Sequence, residues 1–202
     1  VQTNRAISIL LSILGQIDVS GGMAFLTSVK SQFINFREKL PRSIKPVGNC
    51  PLHFELDRTV SLTATVDAIL SDKPYPIKAL LVQGGNPVVT VANTNRLIDA
   101  LKKLDLLVVM DIFMTRTANF ADIVLPASTF LETSGLTIYP SLRTNYLRLQ
   151  QKVVEPLGDS WPDWKFWFEL GKKMGFTEEF SWDSVEDAIN EQIQPSGFNV
   201  DT

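Results

Sequence analysis

Three short stretches of this chain place polar groups where apolar runs end, and those residues have chemistry to offer. Ile77 to Gln83 is an apolar run of β type, closed by Gly84-Gly85-Asn86-Pro87. The glycines let a backbone come close to a ligand, and the Asn86 amide carries both a donor and an acceptor. The same four residues also make a plain tight turn out of which Pro87 leads. Leu106 to Met110 is a second apolar run, and Asp111 stands at its end, where packing gives no reason for an acid. A carboxylate there can accept two parallel N–H bonds such as a guanine edge supplies, or bind a ribose; a helix cap or a solvated strand end explains it equally well. A third run, Ile123-Val124-Leu125, is stopped by Pro126, and the loop from Pro126 to Gly135 holds Glu132, again an acid after an apolar run.

The elements between these stretches decide whether they meet. Leu97, Ile98, Leu101 and Leu104 recur at helical spacing behind the cap residue Asn93, with Lys102 and Lys103 on the wet side. A short helical stretch over Thr117 to Ala121 joins the second run to the third. Strand, helix, strand, helix, strand predicts a parallel sheet with right-handed crossovers. Ligands bind such a sheet beyond the carboxyl ends of its strands, so the three loops share one rim.

The rest of the chain reads as support. Ala6, Ile7, Ile9, Leu10, Leu11, Ile13, Leu14 and Ile17 cover most of a helical wheel behind the capping residues Gln2-Thr3-Asn4, which predicts a helix buried between layers and stopped at Ser20-Gly21-Gly22. Leu26, Val29, Phe33, Phe36 and Leu40 predict a second helix before Pro41. Arg42 to Thr59 has no period and reads as an irregular surface excursion. The prolines of Lys73-Pro74-Tyr75-Pro76 separate this helical and irregular part, 1–72, from the sheet-bearing part, 73–202, of a single α/β region. Trp164, Trp167, Phe168, Gly171 and Met174 line one helical face; core packing accounts for these aromatics better than stacking on a cofactor. Asp183 and Glu186 cap a last helix carrying Val185, Ala188, Ile189 and Ile193.

Composition narrows the classes of function. With 202 residues, 45% hydrophobic and 20% charged, the chain can bury a sizeable core. A net charge of −3 with no basic block argues against a nucleic acid polymer as partner. The apolar run Ala6 to Leu14 is too short to span a bilayer. One cysteine, Cys50, excludes an internal disulfide or a four-cysteine cluster within the chain, and His53 alone makes neither a metal site nor a triad. Both ends read as cut, the first residue not being Met, which leaves localisation unread.

The motifs taken in order resemble a known family. Gly84-Gly85-Asn86-Pro87 after a strand, Leu106 to Asp111, the series Thr115-x-Thr117-Ala118-x-x-Ala121-Asp122-Ile123-Val124-Leu125-Pro126, and Glu132-x-x-Gly135 look like the molybdopterin oxidoreductases of the dimethyl sulfoxide reductase and formate dehydrogenase group. Arg5-Ala6-Ile7 through Leu14-Gly15 to Asp18-x-x-Gly21-Gly22 is similar to the opening of this stretch in that family, so the resemblance covers nearly the whole chain. Tyr139-Pro140-x-Leu142 with Val154-Glu155-Pro156 looks closer to the thiosulfate and polysulfide reductase branch. Many members have Asn and Glu where this chain has Tyr139 and Ser141, although Arg143 is retained.

The resemblance implies a three-layer Rossmann-like parallel sheet with flanking helices, like the central domains of those enzymes, and a chain that is an internal piece of a longer catalytic subunit. That subunit would hold a pair of molybdopterin guanine dinucleotides with molybdenum or tungsten, a [4Fe-4S] cluster in its N-terminal part, and a ligand to the metal outside this chain. Carried over position by position, Gly85, Asn86 and Pro87 would meet the dinucleotide, and Met110 and Asp111 would hold the nucleoside. Glu132 would be a further cofactor-binding position, Thr133, just after it, would sit by the phosphates or ribose, and Asp163 would make a further nucleotide contact. No catalytic group and no metal ligand would come from this chain, which alone would be inactive and bind a guanine nucleotide weakly if at all. Partners would be the other domains of the same polypeptide, an iron–sulfur electron-transfer subunit and a membrane anchor. A different class, a cofactor-free scaffold, is what the large iron–sulfur subunit of respiratory complex I would imply, since it resembles the same family.

Overall fold

The computed structural model describes residues 2–23, 29–32, 34, 36, 39, 41, 43, 45–48, 60–138 and 147–200. The chain folds into two compact units, one of residues 33–134 and 151–185, the other of residues 1–32, 135–150 and 186–202.

The first unit holds the sheet. Helix α1, Gln2–Ile13, belongs to the other unit; here the chain enters α2, Leu62–Ser71, an element with no counterpart in the sequence expectations. Ser61 starts it by accepting the Ala64 N–H at 3.2 Å, and Val66, Ala68 and Ile69 are its buried side. Strand β1, Ala79–Gln83, is followed by a single helical turn, α3, Pro87–Thr90, with Pro87 at its first position, where a missing N–H costs nothing. Helix α4, Thr94–Lys103, is capped by the Asn93 side chain, and Lys102 and Lys103 lie in its last turn. Strands β2, Leu106–Asp111, and β3, Ile123–Pro126, complete a parallel sheet in the order β1-β2-β3. The parallel sheet with flanking helices is therefore as the strand and helix pattern predicts.

Alternation along the strands sorts the two faces. Leu80 and Val82 of β1 pair with Leu107 and Val109 of β2, and these four pack against Val66, Ile69, Leu97 and Leu101 of α2 and α4. Each such side chain taken fully out of water contributes about 1.5–3 kcal/mol, so this layer is the main source of stability of the unit. Asp122 closes the start of the β2–β3 ladder: its Oδ2 accepts the Leu107 N–H at 2.7 Å while its own N–H donates to the Leu107 carbonyl at 2.9 Å. Helix α5, Asp163–Lys173, belongs to the same unit and packs Phe168 into a cluster with Phe36, Phe180 and Trp182. A Cβ on Gly171 would stand within 2.6 Å of two carbons of the Phe180 ring, which is why a weak helix former sits inside this helix.

The second unit contains α1, a hairpin of β4, Gly135–Ile138, and β5, Leu147–Gln150, and α6, Val185–Ile193, which buries Ala188, Ile189 and Ile193. Three expectations fail in α1. It starts at Gln2, so Thr3 and Asn4 lie inside it, and it ends well before the glycine pair, because Gly15 at φ 65° accommodates a left-handed turn. Gly15 N–H donates to the Ser12 carbonyl and Gln16 N–H to that of Leu11, the paired bonds of a Schellman ending. Nor is the helix buried: Ile7, Ile9, Leu10 and Ile13 are all more than half exposed. A helix apolar around most of its wheel needs cover on several sides, and the described residues do not supply it.

The helix expected from Leu26 to Leu40 is also not seen among the described residues, outside which Leu26, Phe33 and Leu40 lie. Residues 29–32, 34 and 36 are non-helical, and Phe36 has φ 49°, which no helix interior allows; its ring is instead stacked against Trp182 at 6.1 Å. Most of the expected excursion, with Cys50 and His53, lies outside the described residues, and Val47 within it is buried.

Candidate functional site

The three strands end level with one another. Gln83 is in register with Met110, and Asp111 with Pro126, so the loops that follow β1, β2 and β3 leave the sheet side by side. Gly84 turns at φ 56°, and its N–H donates to the Met110 carbonyl at 2.9 Å; Ala127 N–H does the same to the carbonyl of Asp111 at 3.1 Å. The sheet ladder thus continues one residue into each loop and fixes where it departs.

The first loop is tied to the second by one hydroxyl. Thr117, fully buried, donates its O–H to Asn86 Oδ1 at 2.9 Å and accepts the Val88 N–H at 3.1 Å, while Thr117 N–H donates to the same Oδ1 at 3.2 Å. A main-chain N–H can only donate, so the atom facing Thr117 is the amide oxygen and the NH2 group is turned away. Among the described residues that NH2 makes no hydrogen bond. Asp111, half-buried, accepts the Phe113 N–H on Oδ1 at 3.1 Å, which folds Ile112 to Met114 into a turn and leaves Oδ2 open.

The third loop is closed on itself. Glu132 is buried and accepts three bonds: Oε2 takes the Thr129 N–H at 2.7 Å and the Thr129 O–H at 2.9 Å, and Oε1 takes the Leu157 N–H at 2.8 Å. These donors, the Thr129 N–H first, then its hydroxyl and the Leu157 N–H, hold the carboxyl below its usual range against the opposing effect of burial. Glu132 therefore joins the loop after β3 to the segment 151–162, which also pairs through Trp161 N–H to the Pro126 carbonyl and Ser128 N–H to the Trp161 carbonyl. Ser128 Oγ is buried with no hydrogen-bond partner among the described residues.

That segment leads into α5, whose first turns face the rim. Trp164 N–H donates to Thr133 Oγ1 at 3.2 Å, and Gln83 is bonded to both Asp163 and Trp167. The aromatic face read as core is thus divided: Phe168 packs, while Trp164 and Trp167, the latter 39% exposed, direct their indole N–H groups to rim residues.

Of the eight expected site residues, Gly85, Asn86, Asp111, Thr133 and Asp163 stand at the rim, partly or fully accessible. Met110, 1% exposed, Pro87 and Glu132 are buried behind it. Sequence reasoning missed Thr117 and Gln83. Thr117 lies inside a motif that is visible without its role, and Gln83 carries the same signal as Asp111, a polar residue at the end of an apolar strand. Tyr139 to Arg143 lie outside the described residues. Among the described residues there is no cluster of three metal-ligating side chains and no helix long and apolar enough to cross a membrane.

Comparison with known proteins gives the arrangement its context. Residues 1–173 match the family model described as molybdopterin oxidoreductase. The molybdopterin-containing subunit PhsA of thiosulfate reductase from Salmonella typhimurium is 36% identical over 122 residues, 60% of this chain and 16% of that protein. The alpha subunit of the F420-dependent formate dehydrogenase from Methanocaldococcus jannaschii is 34% identical over 139 residues, 69% of this chain and 20% of that one. Among solved structures, acetylene hydratase from Pelobacter acetylenicus superposes with a TM-score of 0.61 at 34% identity, covering 69% of this chain and 19% of its own. The chain spans about a fifth of the length of these relatives. Extent of match, order of motifs and fold together establish that this chain belongs to the molybdopterin oxidoreductase family.

Proposed function

We propose that this chain is part of the catalytic subunit of a molybdopterin-dependent oxidoreductase, where it holds the guanine dinucleotide end of one of a pair of molybdenum or tungsten pterins. The observation that carries this reading is the Asn86 amide, whose oxygen is held by Thr117 and whose NH2 makes no hydrogen bond among the described residues. A dinucleotide presents phosphate and ribose oxygens, which need donors, and base N–H and ribose O–H groups, which need acceptors. The rim offers the Asn86 NH2 for the first, and Asp111 Oδ2 and Asp163 for the second, while the unpartnered Ser128 Oγ is a buried polar atom that lacks a ligand of its own. These residues fit the group. When bound, the metal pterin would supply the redox chemistry, and this chain would bind and orient it. Electron transfer onward, the [4Fe-4S] cluster, the iron–sulfur partner subunit and a membrane anchor belong to the same proposal for the full-length protein. The names of the relatives span a thiosulfate reductase, a formate dehydrogenase and a hydratase, so family membership leaves the substrate open.

The test is the cofactor content of the full-length protein made in a host that synthesises the pterin. Molybdenum or tungsten together with GMP released by acid hydrolysis, both in fixed ratio to polypeptide, is the expected result. Protein with neither would overturn this reading in favour of the scaffold.

A further inference from the structure

Gln83 is the last residue of β1, and alternation turns its side chain to the face opposite Val82, away from the α2–α4 layer. Its amide is held at both ends. Trp167 N–H donates to Oε1 at 2.7 Å, and Nε2 donates to Asp163 Oδ2 at 2.6 Å. An indole N–H can only donate, so the NH2 end must face the carboxylate, and that contact is short and charge-assisted. Asp163 and Trp167 are four residues apart on α5, so both partners of the amide lie on one face of one helix. The carboxylate is thereby fixed in rotation, with Oδ2 on Gln83 and Oδ1 making no hydrogen bond among the described residues. An acid in the first turn of α5 suits the helix dipole, but neither the cap residue, Pro162, nor the buried residues, Phe168 and Gly171, call for its tie to Gln83.

We propose that Gln83 is a positioning residue that sets the plane of the Asp163 carboxylate so that Oδ1 accepts an N–H or O–H of the nucleoside end of the dinucleotide. The proposal rests on the reading of the preceding subsection and adds a residue to it. Gln83→Met keeps length and volume and removes both bonds; Trp167→Phe keeps a ring and removes only the anchor of the amide.

Affinities of GMP, AMP and 2′,3′-dideoxy-GMP are measured on the pterin-free full-length protein and its variants. Gln83→Met should weaken GMP roughly five- to tenfold, a loss of the size of one ordinary hydrogen bond, because the substitution acts through Asp163 rather than on the ligand. Trp167→Phe should weaken it less, in the same direction, and Gln83→Met added to Asp163→Ala should cost nothing further. The penalty of Gln83→Met should vanish against AMP if a guanine N–H is the donor held, or against the dideoxy nucleotide if a ribose hydroxyl is. An equal penalty against all three ligands, or none against GMP while Asp163→Ala still weakens it, overturns the role of Gln83 alone. Wild-type protein that binds none of them overturns the dinucleotide reading itself.

Discussion

The loops after β1 and β3 use the same device to opposite ends. In each, a threonine hydroxyl and a main-chain N–H meet the side-chain oxygen of a polar residue: Thr117 on Asn86, Thr129 on Glu132. Asn86 has a second, different group left over, its NH2, which has no hydrogen-bond partner among the described residues. Glu132 has only a second oxygen, and Leu157 N–H occupies it. One loop is open and the other closed, although both residues stand after an apolar strand in a family motif. A polar residue on a binding rim is a candidate ligand contact only if the fold leaves one of its bonding groups unused.

The largest effect should come from breaking the closed loop. Glu132→Ala removes the acceptor of three bonds at once and should loosen the loop after β3 against segment 151–162, where the pairing of Pro126 and Ser128 with Trp161 remains, read as loss of hydrogen-exchange protection at the Thr129 and Leu157 amides. The pH dependence follows from the lowered pKa. The folded protein holds Glu132 ionised more firmly than the unfolded chain does, so its contribution is complete above the ordinary carboxylate range and fades as pH falls through the lower folded value. Glu132→Gln should flatten that acid limb of the stability curve; an unchanged limb would show that the loop is closed by something else. Next in size is Thr117→Val, which keeps the shape and orphans the Val88 N–H, costing about 1–3 kcal/mol in denaturant unfolding. It should also loosen the Asn86 amide, whose Oδ1 keeps only the Thr117 main-chain N–H, so guanine nucleotide binding falls with stability. The smallest effect on stability belongs to Asp111→Asn, whose Oδ1 can still accept the Phe113 N–H. In the 202-residue chain, millimolar GMP should shift the amides of Gly84, Gly85 and Asp111 more than AMP does, and this substitution should abolish the difference. A preference that survives it places the nucleoside elsewhere on the rim.

The strands, α4 and the rim are legible because each has a local signal: apolar runs of strand length, a capping asparagine, a proline or an acid at each end. Helix α2 carries such a signal too, Ser61 before Leu62, Val66 and Ile69, but it stands beside an aperiodic stretch that draws it into the irregular part. Phe36 misleads for a different reason. Its spacing fits a helix, yet the ring contacts with Phe180 and Trp182, distant in sequence, outweigh a local preference worth only tenths of a kcal/mol per residue. The hydrogen bonds of Gln83 and Thr117 join residues 29 or more positions apart, and no periodicity reports such a pairing.

Pro87 has one more consequence, for chemical ageing. Asparagine side chains hydrolyse spontaneously when the next main-chain nitrogen attacks the amide carbon, and a proline nitrogen, bonded to three carbons and carrying no hydrogen, is blocked from doing so. The asparagine on the rim is thus followed by the one residue type whose nitrogen cannot attack it. Prolonged incubation at mildly alkaline pH should therefore convert asparagines outside helices and not followed by proline to acids, seen as a unit mass gain in peptide digests, long before Asn86 changes.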